Sequence, residues 1–191
     1  MPPIAAATRA GHAGMVEYLL EQEADPDRHV RNEIPYTSSA NSDIAPITPG
    51  ERALHLAATT GNIGIVRLLV KRPSLRLKRP SADPTATTNE GCIPLMVMCS
   101  NRHVCAEVVR LLLGGGADPA LATEEGHIPL QEVARNGHID LVDMLQSRAP
   151  ATLNSCSANG QTPLFWACGE GHESMVRFGR FGSVRICPIR F

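Results

Sequence analysis

An all-α solenoid of stacked helix–turn–helix repeats, joined by hairpin loops, is the fold this sequence predicts, and three recurring features predict it. A dyad of aliphatic residues appears at Met15-Val16, Ile65-Val66, Val108-Val109, Leu141-Val142 and Met175-Val176, with second members 50, 43, 33 and 34 residues apart. The dyads open a stripe of apolar residues at spacings 0, 1, 4 and 5, as in Met15, Val16, Leu19 and Leu20, which covers one side of a helix. Three of the stripes lead to Ala-Asp-Pro, at residues 24–26, 82–84 and 117–119. A period of about 33 residues marks supersecondary units too small to bury their apolar face alone, so neighbours stack. Stacks of this kind present surfaces that hold other molecules, which favours a binding module over an enzyme.

Each unit carries its own start and stop signals. Pro94, Pro129 and Pro163 are placed to open first helices, where a missing N–H costs no hydrogen bond. Thr162 precedes one of them as an N-cap; Arg52, Ile93 and Ile128 stand at the same position elsewhere, each forfeiting roughly 1 kcal/mol of capping. Gly11, Gly61, Gly137 and Gly171 fall where the first helix ends, a place that favours a residue tolerant of positive φ. Gly114-Gly115-Gly116 follows a helix and reads as its C-terminal stop rather than as a phosphate-binding loop. The units span about residues 1–27, 50–72, 84–118, 119–151 and 152–178, with insertions at about 28–49 and 73–81 and an irregular tail at 179–191.

Aligned, the units read Pro3-Ile4 with Ala7 and Gly11-His12; Ala53-Leu54-His55-Leu56-Ala57-Ala58 with Gly61-Asn62; Ile93-Pro94-Leu95; Ile128-Pro129-Leu130 with Gly137-His138; and Thr162-Pro163-Leu164 with Gly171-His172. These residues resemble the ankyrin repeat, whose motif is a turn, Thr-Pro-Leu-His with following alanines, a Gly-His break and a second helix. The resemblance covers about residues 2 to 178. It implies that His55 ties the turn to the helix and that partner proteins are contacted through hairpin tips and the exposed ends of first helices. Here those positions are Glu51, Thr59 and Thr60; Asn89, Cys92, Ser100 and Asn101; His127, Arg135 and Asn136; Gln161, Gly169 and Glu170.

Composition fits a chain of this class. The core must come from small and aliphatic residues, because 43% of the chain is hydrophobic but only 4% aromatic. With 18 basic and 19 acidic residues no net field draws the chain toward nucleic acid, and the shortage of aromatics argues against stacking platforms for single strands. No run reaches the roughly 20 apolar residues of a membrane span, and Met1–Tyr18 lacks a signal-peptide core, so a cytoplasmic or nuclear location is expected.

Neither chemistry nor metal binding is expected. The six cysteines include Cys92, Cys99 and Cys105 around His103, but no Cys-x-x-Cys spacing is present. Cys99 and Cys168 share the small-residue slot of Ala58 and Ala134, where cysteine acts as a small hydrophobe, and a reducing compartment disfavours disulfides. His12, His138 and His172 recur at one topological position, which points to a structural role. Hydrolase, phosphate-loop and zinc-protease motifs are absent. No catalytic residue, metal, cofactor or small-molecule substrate is assigned.

The two insertions carry separate expectations. The stretch before Gly50, with Pro35, Ser38, Ser39, Asn41, Pro46 and Pro49, reads as a loop at the hairpin position, either a tolerated spacer or a partner-contacting finger. The second, with the two residues before it, carries Lys71, Arg72, Arg76, Lys78 and Arg79 with no acidic residue, a run suited to nuclear import or an anionic partner as well as to plain solvation. The whole reads as a non-catalytic scaffold for protein partners of unknown identity. The alternative is the regulatory ankyrin-like portion of a larger kinase, acyltransferase or ubiquitin ligase.

Overall fold

A computed structural model of the chain describes residues 1–30, 48–70 and 81–177. Within them lie ten α-helices and one 3₁₀ helix, and no strand occurs among the described residues. The helices form five consecutive pairs: α1 Pro3–Arg9 with α2 Ala13–Glu21, α3 Ala53–Thr60 with α4 Ile63–Val70, α5 Pro94–Ser100 with α6 Ala106–Gly115, α7 Pro129–Asn136 with α8 Ile139–Arg148, and α9 Pro163–Gly169 with α10 Glu173–Arg177. First helices pack in one row, α1 on α3 on α5 on α7 on α9, while α2, α4 and α6 pack in a second. The basic residues Lys71, Arg72, Arg76, Lys78 and Arg79, most of the first insertion and the tail lie outside the described residues.

The dyads explain the stacking. Both members are fully buried in the three inner pairs: Ile65 and Val66, Val108 and Val109, Leu141 and Val142. In the first pair Val16 is buried but Met15 is 51% exposed; in the last, Met175 is buried but Val176 is 41% exposed. The first member therefore faces the preceding unit and the second the following one. One such aliphatic side chain, fully buried, contributes roughly 1.5–3 kcal/mol, so a dyad binds its unit in both directions.

Local signals act largely as expected. Pro94, Pro129 and Pro163 open α5, α7 and α9, and Thr162 Oγ1 accepts the Phe165 backbone N–H at 3.2 Å. Gly137, at φ 75°, ends α7, and a Cβ there would come within 2.7 Å of the His172 ring. Glycine is thus required twice over, by conformation and by close approach. The three non-capping residues compensate in ways the sequence did not disclose. Ile93 and Ile128 are almost fully buried, and that apolar burial offsets the lost cap. Arg52 instead spans turns, its Nε–H donating to the Asp27 carbonyl at 2.9 Å and Nη1 to the Thr87 carbonyl at 2.8 Å.

After α8 the pattern breaks. Pro150–Asn154 forms a 3₁₀ helix packed on α8 where other units carry Ala-Asp-Pro. In the regular units Asp25, Asp83 and Asp118 each accept the backbone N–H two residues ahead, closing a tight turn.

Candidate functional site

The turns that precede the first helices are built alike. The Oγ atoms of Thr88, Thr123 and Ser157 accept the backbone N–H of Cys92, His127 and Gln161 at 3.2, 3.1 and 3.3 Å, and the turn backbones close with Thr88, Thr123 and Ser157 N–H donating to the same three carbonyls. Neighbouring turns are joined by backbone bonds, from Asn89 N–H to the Pro49 carbonyl and from Ala158 N–H to the Glu125 carbonyl. This close approach needs Gly126, at φ 77°, because a Cβ there would lie 3.0 Å from the Ala158 nitrogen. Turn tips and first helices therefore form a ledge whose polar groups largely bond to one another, although His127 Nε2 and Glu51 Oε2 are buried in it without a hydrogen-bond partner.

Two side chains tie the ledge to the helices beneath it. His55 Nδ1 accepts the Arg52 backbone N–H and its Nε2–H donates to the Cys92 carbonyl of the next turn at 3.0 Å. Burial lowers its pKa to about 4, so it is the neutral ring that makes both bonds. Gln131 occupies the same slot and does the same, its Oε1 accepting Ile128 N–H and its Nε2 donating to the Gln161 carbonyl at 2.7 Å. The Gly-His residues are stitches too: His138 Nε2–H donates to the Asn101 carbonyl and His172 Nε2–H to the Arg135 carbonyl, each joining a unit to the one before.

These commitments sort the residues expected on the partner surface. Glu51 is only 5% exposed, so it is not a solvent-facing contact; its Oε1 accepts from Thr48, Oε2 is buried without a hydrogen-bond partner, and burial raises its pKa despite the Thr48 bond. Asn101 and Asn136 are half-buried, donating through Nδ2 to the Thr59 and Cys99 carbonyls of the preceding units. The hydroxyls of Thr59, Thr60 and Ser100 bond back to carbonyls of their own helices. Asn89 and Thr60 are exposed, while Cys92, His127 and Gln161 are half-buried.

His127, Arg135 and Glu170 do come together, around a residue the sequence reading passed over. The Arg135 guanidinium lies 5.1 Å over the Trp166 ring and pairs with Glu170 at 3.9 Å. His127 meets Trp166 edge-on at 6.0 Å, and its Nδ1 is 4.0 Å from Glu125. Phe165 stands edge-on to Trp166 at 6.1 Å and is 54% exposed. It fills the slot of His55 and Gln131, and an apolar ring there forms neither of their bonds. Trp166 is the single tryptophan of an aromatic-poor chain, a signal that pointed to this place.

The thiols divide by environment. Cys92, Cys99, Cys105 and Cys168 are free. Cys99 is fully buried and its pKa is pushed far up by desolvation; Cys168, expected to be a packing residue like Cys99, is exposed. Cys156 is disulfide-bonded, a departure from the expectation of unpaired cysteines. No group of three or more metal-ligating side chains occurs among the described residues, and none of their helices is long and apolar enough to cross a membrane.

A row of stacked helix pairs, joined by turn-to-turn bonds between some neighbours and by histidine bonds between others, defines a helical repeat protein. The family pattern for ankyrin repeats matches in three overlapping copies, at residues 1–78, 74–150 and 95–178, and the chain belongs to that family. It is also similar to the protein named poly [ADP-ribose] polymerase tankyrase from Caenorhabditis elegans, 26% identical over 114 residues. That match covers 60% of this chain and 5% of the relative's length.

Proposed function

We propose that this chain is a non-catalytic interaction scaffold or adaptor that binds partner proteins through its turn tips and first-helix surface, in the cytoplasm or nucleus. The observation that carries the reading is the connected patch of Glu125, His127, Arg135, Phe165, Trp166 and Glu170. Tryptophan and arginine are the residue types that concentrate binding energy in protein interfaces. Most other polar groups of the ledge are used in holding the repeats together, whereas Glu125, Arg135, Phe165 and Glu170 present exposed surface beside the half-buried His127 and Trp166. Affinity purification with quantitative mass spectrometry, run with the natural chain and with Arg135→Ala and Trp166→Ala, tests it. Partners should be lost from both variants while circular dichroism shows the helices intact; equal recovery would move the binding surface elsewhere.

The likeness to tankyrase favours a second reading, in which these repeats are the regulatory part of a longer enzyme. Extended reading frames upstream of Met1 or downstream of Phe178 that encode a catalytic signature would decide for it.

The basic stretch of Lys71, Arg72, Arg76, Lys78 and Arg79 is proposed as an import signal or a contact for an anionic partner. Replacing Lys71, Arg72, Lys78 and Arg79 with serine should leave thermal stability nearly unchanged and reduce nuclear entry or salt-sensitive binding. Unchanged localisation and unchanged salt dependence would reduce the stretch to a spacer.

A further inference from the structure

The geometry points to a basic, extended peptide segment as the occupant of the patch around Trp166, an inference that rests on the scaffold reading above. The patch presents aromatic surface from Phe165 and Trp166 between two carboxylates, Glu125 at the turn tip and Glu170 at the end of α9. Its one guanidinium, Arg135, already lies over Trp166 and beside Glu170. Glu124 adjoins Glu125 on the turn and Glu132 lies one helical turn before Arg135 on α7, so the local balance is negative although the chain as a whole is near neutral.

Lysine or arginine answers both features of such a surface. Their aliphatic stems cover aromatic rings while their charged heads remain in water or reach a carboxylate. The contacts linking Glu125 to Glu170 through His127, Trp166 and Arg135 extend over at most roughly 20 Å, which about six extended residues cover. An acidic segment would meet Glu124, Glu125, Glu132 and Glu170 against the single guanidinium of Arg135.

A display library of random linear dodecapeptides, panned on the whole chain at low ionic strength, tests the inference. Lys and Arg should be enriched several-fold over the unselected library, and the Glu125→Gln/Glu170→Gln double variant should abolish that enrichment. Both carboxylates are exposed, so the variant retains its fold. Emission from Trp166, the only tryptophan, should shift saturably on titration with an enriched peptide, with affinity falling as salt rises. Selected peptides without a basic bias, or equal enrichment on the double variant, overturn the inference. If acidic or neutral peptides shift Trp166 emission instead, the patch still docks partners and only the charge preference fails; silence from Trp166 with every peptide sinks both.

Discussion

His55 and Gln131 solve one problem with different chemistry, and only one of the solutions depends on pH. Each takes a backbone N–H at the start of its own helix and reaches a carbonyl of the next turn. His55→Ala removes both bonds in a buried setting and should cost about 1–3 kcal/mol in chemical denaturation, whereas His55→Gln should recover most of that. Burial holds the pKa of folded His55 to about 4, against the ordinary 6.5. The unfolded chain therefore takes up the proton first, and stability that is fully present above pH 6.5 is lost as pH falls toward 4. His55→Gln should flatten that part of the stability profile; an unchanged acid limb would show that other groups produce it.

Cys99 and Cys168 share a sequence slot and differ in burial, so substitutions should separate them. Alanine already fills the slot as Ala58 and Ala134, which limits the loss at Cys99→Ala to about 1–2 kcal/mol for the vacated sulfur volume. Cys168→Ala should fall within about 0.5 kcal/mol of the natural chain. Titration with a thiol reagent gives a second measure, since Cys168 should react in the folded protein and Cys99 only on unfolding.

At the scale of the element, the three glycines after Leu113 serve different ends. Gly114 lies within α6 with open space where a Cβ would be, Gly115 packs against Val70, and Gly116 terminates the helix at φ 103°. Gly114→Ala should stabilise the protein by about 0.4–1 kcal/mol, because alanine narrows the unfolded ensemble without strain. Gly116→Ala should destabilise it by at least 1–2 kcal/mol through the left-handed backbone. Thermal melts of the two variants should move in opposite directions; the same direction for both would remove the conformational explanation. Between α5 and α6 the Gly-His break is replaced: Asn101 caps α5 in extended conformation and its Oδ1 accepts the His103 N–H. The departure from pattern was readable in the sequence, whereas the side-chain bond that rescues it depends on a loop conformation that no period describes.

For the whole molecule, stability should follow the number of neighbours. Units with a partner on both faces bury both members of their dyads, while Met15 and Val176 show that the first and last described units lack one. Hydrogen exchange should therefore be slowest in α5 to α8 and faster toward α1 and α10, as nearest-neighbour coupling requires. Slowest exchange in residues 1–27 or from 174 onward would contradict a linear array.

The sequence by itself determined the class of fold, the helix pairs and the turn glycines, because each unit repeats the same local physics and repetition exposes it. The dyads, the helix-opening prolines and the Gly-His breaks interact mainly within their own unit or its immediate neighbour. Tertiary structure alone decided which side chains remain free. Glu51, Asn101 and Asn136 read as surface residues, yet one is buried and two are bound to the preceding unit. The patch around Trp166 draws on Glu125, Arg135 and Glu170, supplied by a turn, a first helix and the cap that ends another. Such a grouping is set by the pitch of the stack, which leaves no periodic mark on the chain.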